Sequence, residues 1–82
     1  NLPSISISGK ELKEKMTVID LIVLSKLEVS KSEIRRLIKG NGIRINNQVI
    51  TDEKLIVTND LFQDNLIKLS LGKKRHIKVE LN

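Results

Sequence analysis

The chain has 82 residues, enough for one small domain, and it contains no Cys, Trp or Tyr and a single Phe, Met and His. The absence of cysteine excludes a disulfide framework, thiol catalysis and a zinc finger, and one His without Cys argues against a transition-metal site. The formal net charge is +5, and the 39% apolar fraction is almost entirely Ile, Leu and Val, which predicts a bulky aliphatic core.

Targeting and membrane signals are missing from the sequence. The longest apolar run, Leu21–Leu24, has four residues, whereas a membrane span needs about 18. No signal peptide is recognisable. The chain opens with Asn1-Leu2-Pro3 rather than Met, which favours a piece of a longer protein. We therefore expect a cytoplasmic module with no membrane association.

The positive charge is concentrated in two segments. Residues 31–50 carry a net charge of +4 and residues 73–82 a net charge of +3, whereas residues 1–30 are neutral and residues 51–72 carry −2. Such segregation is expected when one face of a domain meets a polyanion, although small lysine-rich domains also show charged runs on their solvated surface.

The first predicted elements are a short strand and two helical segments. Alternation of Ser and Ile over Ser4–Ser8 predicts the strand, and Lys10–Lys15 predicts one helical turn. Thr17, followed three residues later by Asp20, predicts a helix N-cap. Apolar residues then surround most of the helix circumference, which predicts a buried helix ending near Ser25-Lys26.

A second helix is predicted from a capping box at Ser30–Glu33, in which each residue bonds the other's backbone amide. It runs to Lys39 and stops at Gly40–Gly42. Ile34, Leu37 and Ile38 lie on one side of the helical wheel. The opposite side carries Lys31, Ser32, Arg35, Arg36 and Lys39. Ordinary amphipathic helices mix both charge signs on the outer face, so this single-sign face indicates a contact with anions.

The second half of the chain is predicted to form a sheet. Ile43–Ile45 and Gln48–Ile50 form a hairpin around Asn46-Asn47. Further strands are predicted at Leu55–Val57, Leu66–Leu71 and His76–Leu81, with a polar connection at Asp60–Asn65 and a basic turn at Gly72–Arg75. Two helices followed by a small antiparallel sheet predict an α+β fold with one layer of each.

Two segments resemble a known RNA-binding signature. Ser30–Ile38 reads S-K-S-E-I-R-R-L-I and Gly42–Asn46 reads G-I-R-I-N. The domain first described in small-subunit ribosomal protein S-four carries S-K-S-E-A-R-R-L-I, a glycine-rich break and V-x-V-N-G. Two further segments are similar to the tails of bacterial tyrosyl-tRNA synthetases. They are the opening Leu2–Ile5 with the first long helix, and the ending Leu71–Val79. The resemblance covers essentially the whole chain.

Three residues depart from the family pattern. Lys26 stands where the family has Gly at the end of the first helix, and a left-handed backbone there strains Lys by about 1 kcal/mol. Asn47 replaces the hairpin Gly, which is a mild change because Asn tolerates that conformation. His76 replaces an aromatic residue, which argues against base stacking at that position.

The resemblance implies an S-four-like fold, a two-helix RNA-binding motif packed on a small antiparallel sheet. A single domain would span residues 1–82, with a linker and leading strand over 1–16, a helix–helix–hairpin core over 17–50 and the remaining sheet over 51–82. It also implies tyrosine tRNA as the partner, bound at its long variable arm and toward the anticodon stem. Catalysis, with its ATP and Mg, would belong to an upstream domain through which the parent dimerises. This piece would be monomeric, without cofactor or catalysis.

The candidate RNA-binding residues combine the basic helix face, the hairpin and the basic turn. They are Lys31, Ser32, Arg35, Arg36, Lys39, Arg44, Asn46, Lys73, Lys74 and Arg75. Arginine grips phosphate bidentately, and Ser32 can donate a hydrogen bond to a phosphate or a 2′-hydroxyl. With almost no aromatic residues for stacking, structured RNA read through its backbone fits better than single strands. A charged loop that keeps a sheet end soluble explains Lys73–Arg75 equally well.

Three alternatives remain open at the level of sequence. The chain could be a free-standing module that binds rRNA or the ribosome. It could be the RNA-targeting domain of a pseudouridine synthase, although that module normally lies at the N-terminus. From a different class, it could be a protein-interaction domain that docks through the apolar helix Thr17–Leu24.

Overall fold

The computed structural model of the chain describes residues 3–82, so Asn1 and Leu2, with which the predicted linker begins, lie outside the described residues. The helices within that range are α1 (Gly9–Lys13), α2 (Val18–Ser25) and α3 (Lys31–Lys39). The strands are β1 (Ser4–Ile7), β2 (Ile43–Ile45), β3 (Gln48–Val49), β4 (Leu66–Leu71) and β5 (Arg75–Leu81). The helices pack against the sheet, so the predicted α+β fold class is confirmed.

The five strands form one mixed sheet in the order β1-β5-β4-β2-β3. The pairs β2–β3, β2–β4 and β4–β5 are antiparallel, as predicted. β1 instead runs parallel to β5, with Ser4 opposite Lys78 and Ile7 opposite Leu81. The expectation of a wholly antiparallel sheet is therefore wrong for this edge. The Ser-Ile alternation identifies a strand, but it carries no information about a partner at the other end of the chain.

The two faces of the sheet differ in burial. Ile67 and Leu69 of β4 and Ile77 and Val79 of β5 are buried in the same cluster as the apolar residues of α2 and α3. We call this covered side the inner face. The alternate positions of the sheet form the outer face, which carries Arg44, Lys68, Ser70, His76, Lys78 and Glu80. Since strand side chains alternate, the inner face organises the core and leaves the outer face for polar side chains.

Helix α2 is the most deeply buried helix among the described residues. The Thr17 hydroxyl accepts from the Asp20 amide at 3.2 Å, and the Asp20 carboxylate accepts from the Thr17 amide at 3.1 Å, so the predicted cap is reciprocal. Leu21 and Ile22 are fully buried, whereas Leu24 is 42% exposed. Since most of the apolar surface of α2 already lies in the core, the structure argues against the alternative that this helix docks a protein partner.

The strand predicted at Leu55–Val57 is wrong. This segment makes one isolated bridge, between Ile56 and Thr17. The Val18 amide donates to the Leu55 carbonyl at 2.9 Å, and the Val57 amide donates to the Met16 carbonyl at 2.8 Å. Its backbone therefore pairs with the short approach to α2 rather than with the sheet. That partner is too brief for a ladder, although Val57 is buried in the core.

Candidate nucleic-acid interface

Helix α3 begins with half of the predicted capping box. The Ser30 hydroxyl accepts a hydrogen bond from the Glu33 amide at 3.4 Å. The predicted return bond from Glu33 to the Ser30 amide is wrong, because that amide donates to the Glu28 carboxylate at 3.2 Å. The side chain of Glu33 lies instead beside Arg36. An acidic group from the preceding loop thus replaces the helix's own carboxylate at this N-terminus.

The two faces of α3 separate as the sequence predicts. Ile34 and Ile38 are buried in the core, and Leu37 is half-buried. The exposed side chains of the helix are those of Lys31, Ser32, Arg35, Arg36 and Lys39. We call this set the α3 basic face. It presents four cations from a rigid element whose other side is anchored in the core, which is a suitable arrangement for contacting several phosphates.

Two cations of the α3 basic face have acidic neighbours. Arg35 Nε lies 3.8 Å from Glu53 Oε2, and Arg36 Nη1 lies 3.6 Å from Glu33 Oε2. The side chains of Arg35 and Arg36 remain 49% and 80% exposed. Exposed ion pairs of this kind contribute about 0–1 kcal/mol. A phosphate could therefore displace either carboxylate at little cost, so both arginines remain available to a polyanion.

The candidate RNA-binding residues of the hairpin differ in whether their side chains are hydrogen-bonded within the domain. Asn46 and Asn47 both have a positive φ, as the predicted turn requires. The Asn46 amide group donates to the Leu61 carbonyl at 2.7 Å and accepts from the Lys68 backbone amide at 3.0 Å. These bonds give Asn46 a structural role that accounts for its presence. Arg44, which the sequence groups with the α3 residues, lies on the outer face of the sheet.

The basic turn lies next to both loops that flank α3. The Gly72 amide donates to the Gly42 carbonyl at 2.7 Å. Arg75 Nη1 donates to the Leu27 carbonyl at 2.9 Å and lies 3.3 Å from Glu28 Oε1. The Ser30 amide, and then Arg75, lower the pKa of the Glu28 carboxyl by stabilising its charged form. Arg75 therefore anchors the turn, while Lys73 and Lys74 remain exposed beside it.

Two basic residues of the sheet are absent from the candidates chosen on sequence. Lys68 and Lys78 are exposed and directly opposite each other on β4 and β5. The alternation of the two strands places both at polar positions between buried aliphatic residues, and this signal is visible in the sequence. The pairing that brings them together is not, since it depends on the register of the sheet.

The described part of the chain shows neither a metal cluster nor a membrane-spanning helix. Within residues 3–82 no group of three or more His, Cys, Asp or Glu side chains could hold a metal ion. No helix in that range combines the length and the apolar character that crossing a bilayer requires.

Comparisons with known proteins agree on one family. The model of the tyrosine–tRNA ligase SYY-like C-terminal domain matches residues 1–79. The tyrosine–tRNA ligase of Pelagibacter ubique is 65% identical over 81 residues, which cover 99% of this chain and 20% of that protein. Those of Rickettsia massiliae and Bartonella quintana are each 44% identical, over 99% and 98% of this chain and 20% and 19% of theirs. The chain thus spans about a fifth of the length of these relatives.

Proposed function

This chain belongs to the family of tyrosine–tRNA ligase SYY-like C-terminal domains, and from that premise we propose that it binds tRNA through the α3 basic face. The observation that carries the proposal is the row of exposed cations on a helix whose opposite side is buried. Phosphate contacts supply much of the affinity of proteins for nucleic acids. Among the described residues the only aromatic side chain is Phe62, so base stacking contributes little to this interface.

In this proposal the chain supplies affinity and orientation rather than chemistry. Arginine and lysine arms neutralise the backbone phosphates, and Ser32 donates to a phosphate or a 2′-hydroxyl. The α3 helix holds the backbone of these residues at fixed spacing, so only their side chains remain to be ordered on binding. The bound tRNA would then present its acceptor end to a catalytic part of the parent protein.

For the parent we propose the activity that the relatives' name states, ligation of tyrosine to its tRNA in the cytoplasm. ATP and Mg would bind in the catalytic part, outside the present 82 residues, and that part would form a homodimer. The specific partner would be tyrosine tRNA, contacted at its long variable arm and toward the anticodon stem. The match to this family over residues 1–79 favours this assignment over a ribosome-binding module or a pseudouridine synthase.

The proposal is tested by tRNA binding as a function of salt. Fluorescence anisotropy with labelled tyrosine tRNA should give a log–log slope of about −3 to −5, as expected for four to six phosphate contacts. The double variant Arg35→Gln/Arg36→Gln should bind more weakly and with a shallower slope, while its circular dichroism spectrum stays unchanged. Lys10→Gln/Lys13→Gln, which makes the same change of charge on α1, should bind like the parent chain.

Two outcomes would contradict the proposal. A flat salt dependence would reject recognition through phosphates. Equal loss of affinity in the α1 and α3 variants would show that only net charge matters and that the α3 basic face is no specific surface. Specificity is tested with a tRNA that has a short variable arm. Equal affinity for this tRNA and for tyrosine tRNA would reject the proposed partner while leaving general tRNA binding intact.

A further inference from the structure

A second basic surface lies on the outer face of the sheet. It consists of Arg44 on β2, Lys68 on β4, Lys78 on β5 and Lys73 in the turn between β4 and β5, and we call it the outer basic patch. All four side chains are exposed. Within the described range no carboxylate lies within 4 Å of them, whereas Arg35, Arg36 and Arg75 each have such a neighbour. The outer basic patch is therefore less neutralised than the arginines of the α3 basic face.

The register of the sheet places like charges together on this patch. Lys68 is directly opposite Lys78, and like charges at such a position destabilise a sheet. Arg44 is opposite Ser70 and hence diagonal to Lys68, at a typical spacing of about 7–8 Å. Glu80 lies on the same face, two residues beyond Lys78 and diagonal to Lys68, but it is not within 4 Å of either lysine. A bound anion would relieve the repulsion between the two lysines.

Part of the patch is concave, and Lys78 lies outside this concave part. A groove of about 470 Å³ opens between the hairpin and the β4–β5 turn, with Arg44, Lys68, Lys73 and His76 among its walls. Its lining also includes three small residues, namely Gly42, Ser70 and Gly72. The His76 ring is held by Ser70 Oγ at 2.9 Å and the Lys73 carbonyl at 3.1 Å, which makes that wall rigid.

We propose that this groove binds a phosphate group of the RNA backbone, at a site separate from the α3 basic face. Arg44 and Lys68 would grip the phosphate, and the amide groups of Asn41 and Asn47 at the rim would hydrogen-bond the adjoining phosphate or ribose oxygens. The lining brings together three cations and two side-chain amides, a set of hydrogen-bond donors that suits a phosphodiester. This inference rests on the proposed tRNA binding and extends it to a second surface.

The test compares three matched variants of the chain in the same tRNA-binding assay. Arg44→Gln/Lys68→Gln should weaken binding about tenfold and reduce the salt slope by about one to two, because each lost cation releases about one phosphate contact. Lys10→Gln/Lys13→Gln serves as the charge control and should leave both values unchanged. Arg35→Gln/Arg36→Gln reports on the α3 basic face independently.

Folding stability provides a second readout. Lys68→Gln alone should raise the melting temperature by about 2–4 °C, because it removes the repulsion from Lys78, and it should also weaken RNA binding. A lower melting temperature would show that Lys68 serves folding, and would overturn the inference.

The binding results separate this inference from the proposed function. If Arg44→Gln/Lys68→Gln binds like the parent chain while Arg35→Gln/Arg36→Gln does not, the groove is no phosphate site and the α3 proposal stands. If the parent chain binds no tRNA, both proposals fail. Weakened binding in the groove variant, with the α1 control unchanged, supports the second site.

Discussion

Replacing Lys26 by Gly is expected to stabilise the domain. Lys26 ends α2 with φ 63° and ψ 12°, in the left-handed region, and its side chain is exposed. A left-handed backbone costs a non-glycine residue about 1–2 kcal/mol. Gly avoids this cost, but it increases the entropy of the unfolded chain and thereby lowers the stability by about 0.4–1 kcal/mol. The difference leaves a net gain of about 0.5–1 kcal/mol, which corresponds to a rise in melting temperature of about 3–6 °C for a domain of this size.

The assay is thermal and urea unfolding followed by circular dichroism, with Lys26→Ala as the matched control. Alanine removes the same charge but keeps the Cβ atom that strains the left-handed backbone, so it should gain no stability. The backbone bond from the Lys26 amide to the Val23 carbonyl is available to both variants. Equal stabilisation by Gly and Ala would show that the loss of the lysine charge, and not relief of the left-handed backbone, causes the effect. No gain in stability from Gly would show that the left-handed backbone of Lys26 is not strained.

Two further predictions concern side-chain hydrogen bonds. Asn46→Ala should be less stable than Asn47→Ala by about 1–2 kcal/mol in urea unfolding. Both positions have a positive φ, but only the Asn46 side chain makes the bonds to Leu61 and Lys68. Equal losses of stability in the two variants would show that these bonds do not stabilise the domain. The folded-state pKa of Glu28 lies below its ordinary value of 4.5, so its stabilising contribution is present above that pH and is lost as the pH falls through the lowered value. Glu28→Gln should therefore show a smaller drop in melting temperature between pH 6 and pH 3 than the parent chain, and identical pH profiles would contradict this assignment.

Local signals in the sequence predicted most elements because their causes are local. The Thr17 cap, the amphipathic pattern of α3 and the Asn46-Asn47 turn depend on residues within a few positions of each other. Lys26, which stands where the family has Gly, takes a positive φ. The helix stop after Lys39 differs in detail, since Gly40 keeps a negative φ and Asn41 takes the left-handed conformation.

Contacts between distant segments were out of reach of such local patterns. Glu28, rather than Glu33, accepts from the Ser30 amide, and Arg75 from the last strand donates to the other oxygen of the same carboxylate. The Asn46 side chain, a candidate RNA ligand on sequence, bonds Leu61 and Lys68 of distant segments. The Leu55–Val57 segment has strand-like residues but finds only the short approach to α2 as its partner.

Residue order and helical or strand periodicity are enough to predict the α+β class, the single-sign face of α3 and the family resemblance. The parallel pairing of β1 with β5 and the meeting of Arg44, Lys68 and Lys78 on one surface depend instead on how the whole chain folds. Strand register and partner choice come from burying the aliphatic inner face of the whole sheet at once. That global requirement places basic residues from three strands side by side without any local signal of their proximity.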